Sequence, residues 1–200
     1  LLDTNATLQD FELDAADNWN GGSLTIARNG GANTDDTFSF GGSAVTINST
    51  NLVIDSTSRA TFATTNGTLT VSFNANAQAT DVDAILQAVT YANTSEAPPA
   101  SVTLAVTVSD GNSGNAQGTG LNPGTDTQNV VVNITAVNDP PVIGGLDATS
   151  TNTFTEGGTA VLLDTNATLQ DFELDAADNW NGGSLTIARN GGANTDDTFS

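Results

Sequence analysis

Two hundred residues allow one large domain or two small ones, and 37 % apolar content with abundant Thr, Ser, Gly, Asn and Asp suits a pleated, turn-rich fold rather than an all-helical one. Twenty-three acids face only three arginines (Arg28, Arg59, Arg189), with no lysine or histidine, and the net charge of −20 argues against nucleic acid and anionic membranes as partners. With no cysteine, disulfides hold nothing together, and no apolar run approaches the roughly 18 residues that span a bilayer.

The first informative stretch is Asp10-Phe-Glu-Leu-Asp14, followed by Asp17, Asn18 and Trp19. Read as an extended segment, its alternate positions face one way, so Asp10, Glu12 and Asp14 point at one site. Three carboxylates on one face repel unless a cation sits among them, and calcium takes about 6–8 oxygen ligands. The competing reading is a solvated acidic loop. Trp19, in Asp-Asn-Trp-Asn-Gly-Gly, is read as a half-buried anchor under that loop in preference to a sugar-stacking platform.

Short strands and turns come next. Residues 23–28 alternate as a strand that Asn29-Gly-Gly turns, and residues 44–47 and 52–54 read as a pair. Residues 60–64 and 68–73 flank Asn66-Gly67, the signature of a type I′ hairpin. Thr80-Asp-Val-Asp-Ala-Ile-Leu-Gln-Ala88 predicts a short helix over 81–88 with Thr80 as N-cap and acids in its first turn. A short strand is expected over 89–91. Residues 102–108 place Val102, Leu104, Val106 and Val108 on one face. They run into Ser109-Asp-Gly-Asn-Ser-Gly114, where Asp110 is either an oxygen ligand or the cap of its own turn. Residues 130–134 are the last strand of the unit.

Ala136-Val-Asn-Asp-Pro-Pro-Val142 marks a boundary, because two prolines fix the backbone and remove two donors. Asn138 and Asp139 offer oxygens at this joint, and Glu156 lies early in the next unit, so a cation shared between units is one reading. A plain Asn-Asp-Pro turn is the other.

The strongest signal is a repeat. Residues 1–39 recur unchanged as residues 162–200, an offset of 161. That period suits a whole domain per repeat, joined like beads. Residues 1–139 are then a unit lacking its first strand region, and 140–200 begin the next identical unit. The chain opens at Leu1 without a leader, so a stretch of a longer polypeptide is expected. The second copy adds Asp171, Glu173 and Asp175 to the acidic cluster.

Catalysis is not expected. Without His or Cys the usual general base and the best nucleophile are missing. A carboxylate pair of the glycosidase kind needs a groove, usually with several aromatics, and one repeat offers a single Trp and a single Tyr.

The ordered set Asp10-Phe-Glu-Leu-Asp14, Gly22-Ser-Leu-Thr-Ile-Ala-Arg-Asn-Gly-Gly-Ala-Asn33, Val89-Thr-Tyr-Ala-Asn93, Val108-Ser-Asp-Gly111 and Ala136-Val-Asn-Asp-Pro-Pro-Val142 resembles the cadherin-like repeats of giant bacterial surface and secreted adhesins. The resemblance implies an all-β, immunoglobulin- or cadherin-like β-sandwich with one short helix, binding Ca2+ outside the cell. It favours Asp10, Glu12, Asp14, Asp110, Asn138, Asp139 and Glu156 as ligands, with Asp171, Glu173 and Asp175 in the later copy. The glycine-rich nonapeptide of toxin-type calcium rolls is absent, so a parallel β-roll is not expected. The expected role is a calcium-stiffened structural repeat in an extracellular stalk, with neighbouring repeats as partners. The alternative is a direct binder of surface glycans that gains avidity by repetition. A variant of the stalk is a fibre of separate subunits, in which a unit short of one strand receives it from a neighbour.

Overall fold

The computed structural model describes residues 1–120, 123–147 and 152–199. The chain divides into two compact units, Leu1–Ala136 and Val137–Ser200. Both are built from antiparallel strands with a few short helices.

In the first unit, helix α1 (Phe11–Ala16) leads to strand β1 (Ser23–Arg28). Then come β2 (Asp36–Phe40), β3 (Thr46–Asn48), β4 (Asn51–Ile54), β5 (Thr57–Thr65) and β6 (Thr68–Phe73). Helix α2 (Ala79–Ala88) runs directly into β7 (Val89–Asn93), and β8 (Ser101–Ser109) and β9 (Thr125–Asn133) complete the unit. Seven strands form one antiparallel sheet in the order β3-β4-β5-β6-β1-β8-β9, while β2 and β7 pair apart from it.

The pleat explains the core. Leu24 and Ile26 of β1 lie opposite Val71 and Leu69 of β6, and opposite Val108 and Val106 of β8. Directly opposed residues share a face, so one side of the sheet becomes continuously apolar. Against it pack Phe38 of β2, Val89 of β7, and Val82, Ile85 and Leu86 of α2, in a single cluster. Each fully buried Leu, Ile or Val contributes about 1.5–3 kcal/mol relative to exposure. Phe38 meets Tyr91 with ring centroids 5.6 Å apart.

The β5–β6 turn is the expected hairpin. Asn66 and Gly67 both have positive φ, 49° and 74°, as a type I′ turn requires. Gly67 is needed twice over, since a Cβ there would sit 1.7 Å from the carbonyl oxygen of Asn33.

Three expectations need correction. Helix α2 starts two residues early, with Gln78 and not Thr80 as its N-cap. The reason is long-range: the Asp17 carboxylate accepts from Ala79 N–H at 3.1 Å and Gln78 Nε2 at 2.8 Å. Asp81 accepts from Gln78 N–H at 2.9 Å. The last strand is not 130–134 but all of Thr125–Asn133, because β8 offers a ladder along its whole length. Strand β2 occupies a stretch for which the sequence predicted no element, although Asp36, Phe38 and Phe40 alternate with Thr37 and Ser39 in burial.

The second unit holds β10 (Val142–Gly144), β11 (Thr168–Gln170) and helix α3 (Phe172–Ala176). β10 and β11 pair antiparallel.

Candidate functional site

The stretch after Asp10 is helical, not extended: α1 spans Phe11–Ala16 and Asp10 is its N-cap. Asp10 has extended backbone (φ −141°, ψ 129°), and its carboxylate accepts from the N–H groups of Glu12 and Leu13 at 3.0 and 2.8 Å. A short acidic side chain at this position satisfies the otherwise orphaned first-turn donors. Phe, Glu, Leu, Asp, Ala and Ala then continue the helix. In a helix, residues four apart share a face and residues two apart do not. Asp10 and Asp14 therefore stay together, while Glu12 points to solvent.

Asp14 is also committed. One oxygen accepts from Asp10 N–H at 3.2 Å and the other from the Trp19 indole N–H at 2.9 Å. Trp19 is 1 % exposed and packs edge-on against Phe73 at 5.9 Å, so it is a core residue rather than a half-buried one. Helix α1 ends at Asp17 in the left-handed conformation, φ 48°, the usual way to close a helix.

The second copy rebuilds most of this motif, with one cap bond in place of two. Asp171 caps α3 through Leu174 N–H at 2.9 Å, and Asp175 accepts from Asp171 N–H at 3.1 Å and from the Trp180 indole at 2.9 Å. Here Asp139 joins in, its N–H donating to Glu173 Oε2 at 3.4 Å. The other Glu173 oxygen is buried without a partner among the described residues. Asn138 donates to the carbonyl of Asp139 at 3.0 Å. Glu156 sits exposed in the Thr155–Gly158 turn, apart from any such bond.

Two ligand candidates distant in sequence do meet. Asp10 and Asp110 line one cleft of about 210 Å³ with Gln9, Trp19, Gly124 and Asp126. Asp110 holds the 110–124 loop shut: its Oδ1 accepts from Gly124 N–H at 2.9 Å, and its own N–H donates to Gly124 O at 3.2 Å. Next to it Gly111 has φ 75°, and a Cβ there would lie 2.1 Å from Gly21 O. The Ser-Asp-Gly and Trp-Asn-Gly-Gly motifs are thus pressed backbone to backbone, which is why both carry glycine. Asp126, opposite Val108 in the β8–β9 ladder, was missed by sequence reasoning. Its only signal is position: it comes after Gly124-Thr125 at the start of a strand. Asp10 and Asp110 each use one oxygen in these hydrogen bonds, and the second of each meets no donor among the described residues. No group of three or more acidic side chains that could hold a metal ion occurs among the described residues.

The main electrostatic feature lies elsewhere and was also missed. Asp36, its side chain 0 % exposed, accepts from Arg28 Nε at 2.9 Å and from the second guanidinium arm at 2.6 Å. The Tyr91 hydroxyl and the Asn93 amide donate to it at 2.7 and 2.8 Å. Burial pushes the Asp36 carboxyl upward, but the bonds from Arg28, Tyr91 and Asn93 and the guanidinium charge outweigh it and hold the group below the ordinary carboxylate range. Burial and its bond to Asp36 push the Tyr91 hydroxyl up. Arg59 pairs with Asp81 at 3.3 Å, and Arg189 with Asp197, so all three arginines are engaged by carboxylates. The recurrence of Arg and Asp eight apart in both copies was the available signal.

The arrangement consists of capped helices, a clamped loop, a carboxylate-lined cleft and a buried ion-pair network. No protein-family model matches the chain, and no curated protein or solved structure matches it either.

Proposed function

We propose that the chain is a structural repeat of a secreted or cell-surface stalk or fibre, that it is not an enzyme, and that calcium stiffens it. Its first unit is read as a cadherin-like, immunoglobulin-like sandwich, with the seven-stranded sheet facing the layer that contains β2, β7 and α2. The observation that carries this reading is the recurrence of residues 1–39 at an offset of 161. Repetition without change over this stretch is what a chain selected for length would show, and length is what a stalk or fibre requires.

Calcium enters through charge. The three arginines are each already paired with an aspartate, so no lysine, arginine or histidine remains to balance a net charge of −20. Self-repulsion of that size destabilises a compact state, and an external cation relieves it. The cleft lined by Asp10, Asp110 and Asp126 offers the hard oxygens that calcium prefers. An ion held there would tie α1, the Asp110 loop and the start of β9 together. Direct sugar binding has less support, because Trp19 lies inside the core and is not available for stacking.

Thermal melting of the full chain in calcium and in chelator tests this. Binding to the folded state alone stabilises by RT ln(1 + [L]/Kd), about 2.7 kcal/mol at a hundredfold excess over Kd. Asp126→Asn is expected to shrink the difference while leaving the melt in chelator nearly unchanged, since Asp126 is exposed and its side chain bonds Gln128 alone among the described residues. Identical melting with and without calcium removes the calcium reading. Strong, specific capture of one glycan by the chain overturns the stalk reading.

A further inference from the structure

The seven-stranded sheet has a second face, turned away from the core. Side chains alternate along a strand, so Ser23, Thr25 and Ala27 stand on the side of β1 opposite to buried Leu24 and Ile26. The register carries that side across five strands. Thr25 lies opposite Thr70 and Thr107, Thr70 lies opposite Ala63, and Thr107 lies opposite Thr127. The rank through Ser23 runs Thr61, Ser72, Ser23, Ser109 and Thr125. The rank through Ala27 runs Thr65, Thr68, Ala27, Ala105 and Asn129.

Every position in these ranks is Thr, Ser, Ala or Asn, and none is charged. About a quarter or more of an ordinary protein surface is charged, and this chain carries 23 acids, so the face stands out by excluding them. Asp126 comes between Thr125 and Thr127 in sequence, yet it lies opposite Val108 and so belongs to the other side. Thr70 and Thr127 are exposed, and Thr25 and Thr107 are half-buried between their neighbours. The hydroxyls of Thr107 and Thr127 share a hydrogen bond at 2.8 Å. Those of Thr25 and Thr70 meet no partner among the described residues.

We propose that this face docks on the same face of a second copy of the chain and so joins stalks side by side. Charge selects the occupant. Two chains of net charge −20 repel each other, and they approach most closely where neither presents an acid. A hydroxyl both donates and accepts hydrogen bonds, so a face of hydroxyls and methyls is its own complement. The contact is then isologous, with a two-fold axis through its centre. Thr25 holds that centre, on the middle strand and in the middle rank, and meets Thr25 of the second copy.

The area sets the strength. Strands about 4.8 Å apart, with residues about 3.4 Å apart along each, make the face roughly 24 by 18 Å, or about 430 Å². Two such faces bury about 900 Å² together, just short of the roughly 1,000 Å² that marks a stable specific interface. One pair of faces therefore holds weakly. Many pairs in series hold strongly, because each contact after the first is effectively intramolecular. Long stalks bundle, and short ones stay apart. The bundling rests on the stalk reading above, whereas the pairing of single chains needs neither that reading nor a metal.

Sedimentation equilibrium of the full chain in chelator, at an ionic strength where repulsion is screened beyond about 8 Å, tests the pairing apart from calcium. Mass is expected to rise from the 20.2 kDa of one chain toward twice that value, with half of the chains paired at or below about 1 mM. Thr25→Glu sets like charges against each other and is expected to weaken pairing at least about tenfold. Thr70→Glu, at the exposed position beside it, is expected to do the same. Thr80→Glu, exposed on α2 in the opposite layer, adds the same charge off the face and is expected to change little. Unchanged Trp19 fluorescence checks that each variant is folded. The chain has no cysteine, so Thr25→Cys supplies a single thiol. A thiol cross-linker that spans the roughly 10 Å between stacked sheets is expected to join two Thr25→Cys chains and not two Thr80→Cys chains. Monomer up to about 1 mM overturns the proposal, as does pairing undiminished in Thr25→Glu and Thr70→Glu, or an equal loss in Thr80→Glu. Cross-linking through Thr80→Cys alone overturns it too. A monomeric chain that binds a neutral polysaccharide, and loses that binding in Thr25→Glu, gives the face to a glycan and overturns it equally.

Discussion

Replacing Asp36 by alanine removes one carboxylate and strands four hydrogen bonds, two from Arg28 and one each from Tyr91 and Asn93. Its side chain is 0 % exposed and that of Arg28 is 22 % exposed, so the guanidinium is left largely desolvated and unpaired. Breaking a buried pair from one side costs about 3–5 kcal/mol, which for a domain of this size lowers the melting temperature by roughly 10–15 °C. The molecule supplies its own control. Arg189 and Asp197 form the same bidentate pair in the second copy, with side chains 56 % and 27 % exposed. There Asp197→Ala is expected to cost only about 0–1 kcal/mol, as for surface pairs in general. Native-state amide exchange reads each unit residue by residue. Asp36→Ala should lower the protection of β1, β2 and β7 by the full amount, and Asp197→Ala should change its own surroundings by little. Equal losses at the two sites, or an Asp36→Ala loss below about 1 kcal/mol, would refute the claim that burial sets the value of this pair.

Acid and base should bracket the stability of the first unit. The folded-state pKa of Asp36 is depressed, so its contribution is complete above the unfolded value near 4 and is lost as pH falls below it. The Tyr91 pKa is raised, so its contribution is complete below about 10 and is lost as pH climbs further. Urea midpoints across this range should show a plateau with both shoulders, and Asp36→Ala should flatten the acid one; a shoulder unchanged in that variant would assign it to other carboxylates. Gly67→Ala forces a Cβ to within 1.7 Å of Asn33 O at φ 74°, and a loss of at least about 2 kcal/mol is expected. Gly42→Ala, at φ 90° with open space around it, should lose only about 1 kcal/mol. Similar urea midpoints for the two variants would show that the Asn33 loop yields without cost.

Several strands were legible because alternation is a local signal. Residues 23–28, 68–73 and 102–108 read as strands and are strands, and Asn66-Gly67 announced its turn. The acidic cluster was legible as a cluster but not as a geometry. Leu13 is the only buried residue of α1, so the helix has too short an apolar face to show a period, and Asp10 as N-cap looked like one more ligand. Asp126 and Asp36 were missed because their local signals are weak: one matters through its place beside Asp10 and Asp110, the other through side chains from β1 and β7.

The duplicated segment separates the two kinds of information directly. Sequence alone determined the cap of Asp10 and Asp171, the return bond from Asp14 and Asp175, and the indole bond of Trp19 and Trp180. These bonds span at most five residues, so both copies make them whatever surrounds them. Tertiary structure decided the rest. Ser23–Arg28 is a strand between β6 and β8, while the same six residues at 184–189 form no strand. Thr168–Gln170 is a strand, while its twin at 7–9 is not, and Trp19 is 1 % exposed where Trp180 is 37 % exposed. A helix cap carries its partners within its own turn. A strand, a buried ion pair and a core indole depend on groups that only the folded chain brings alongside.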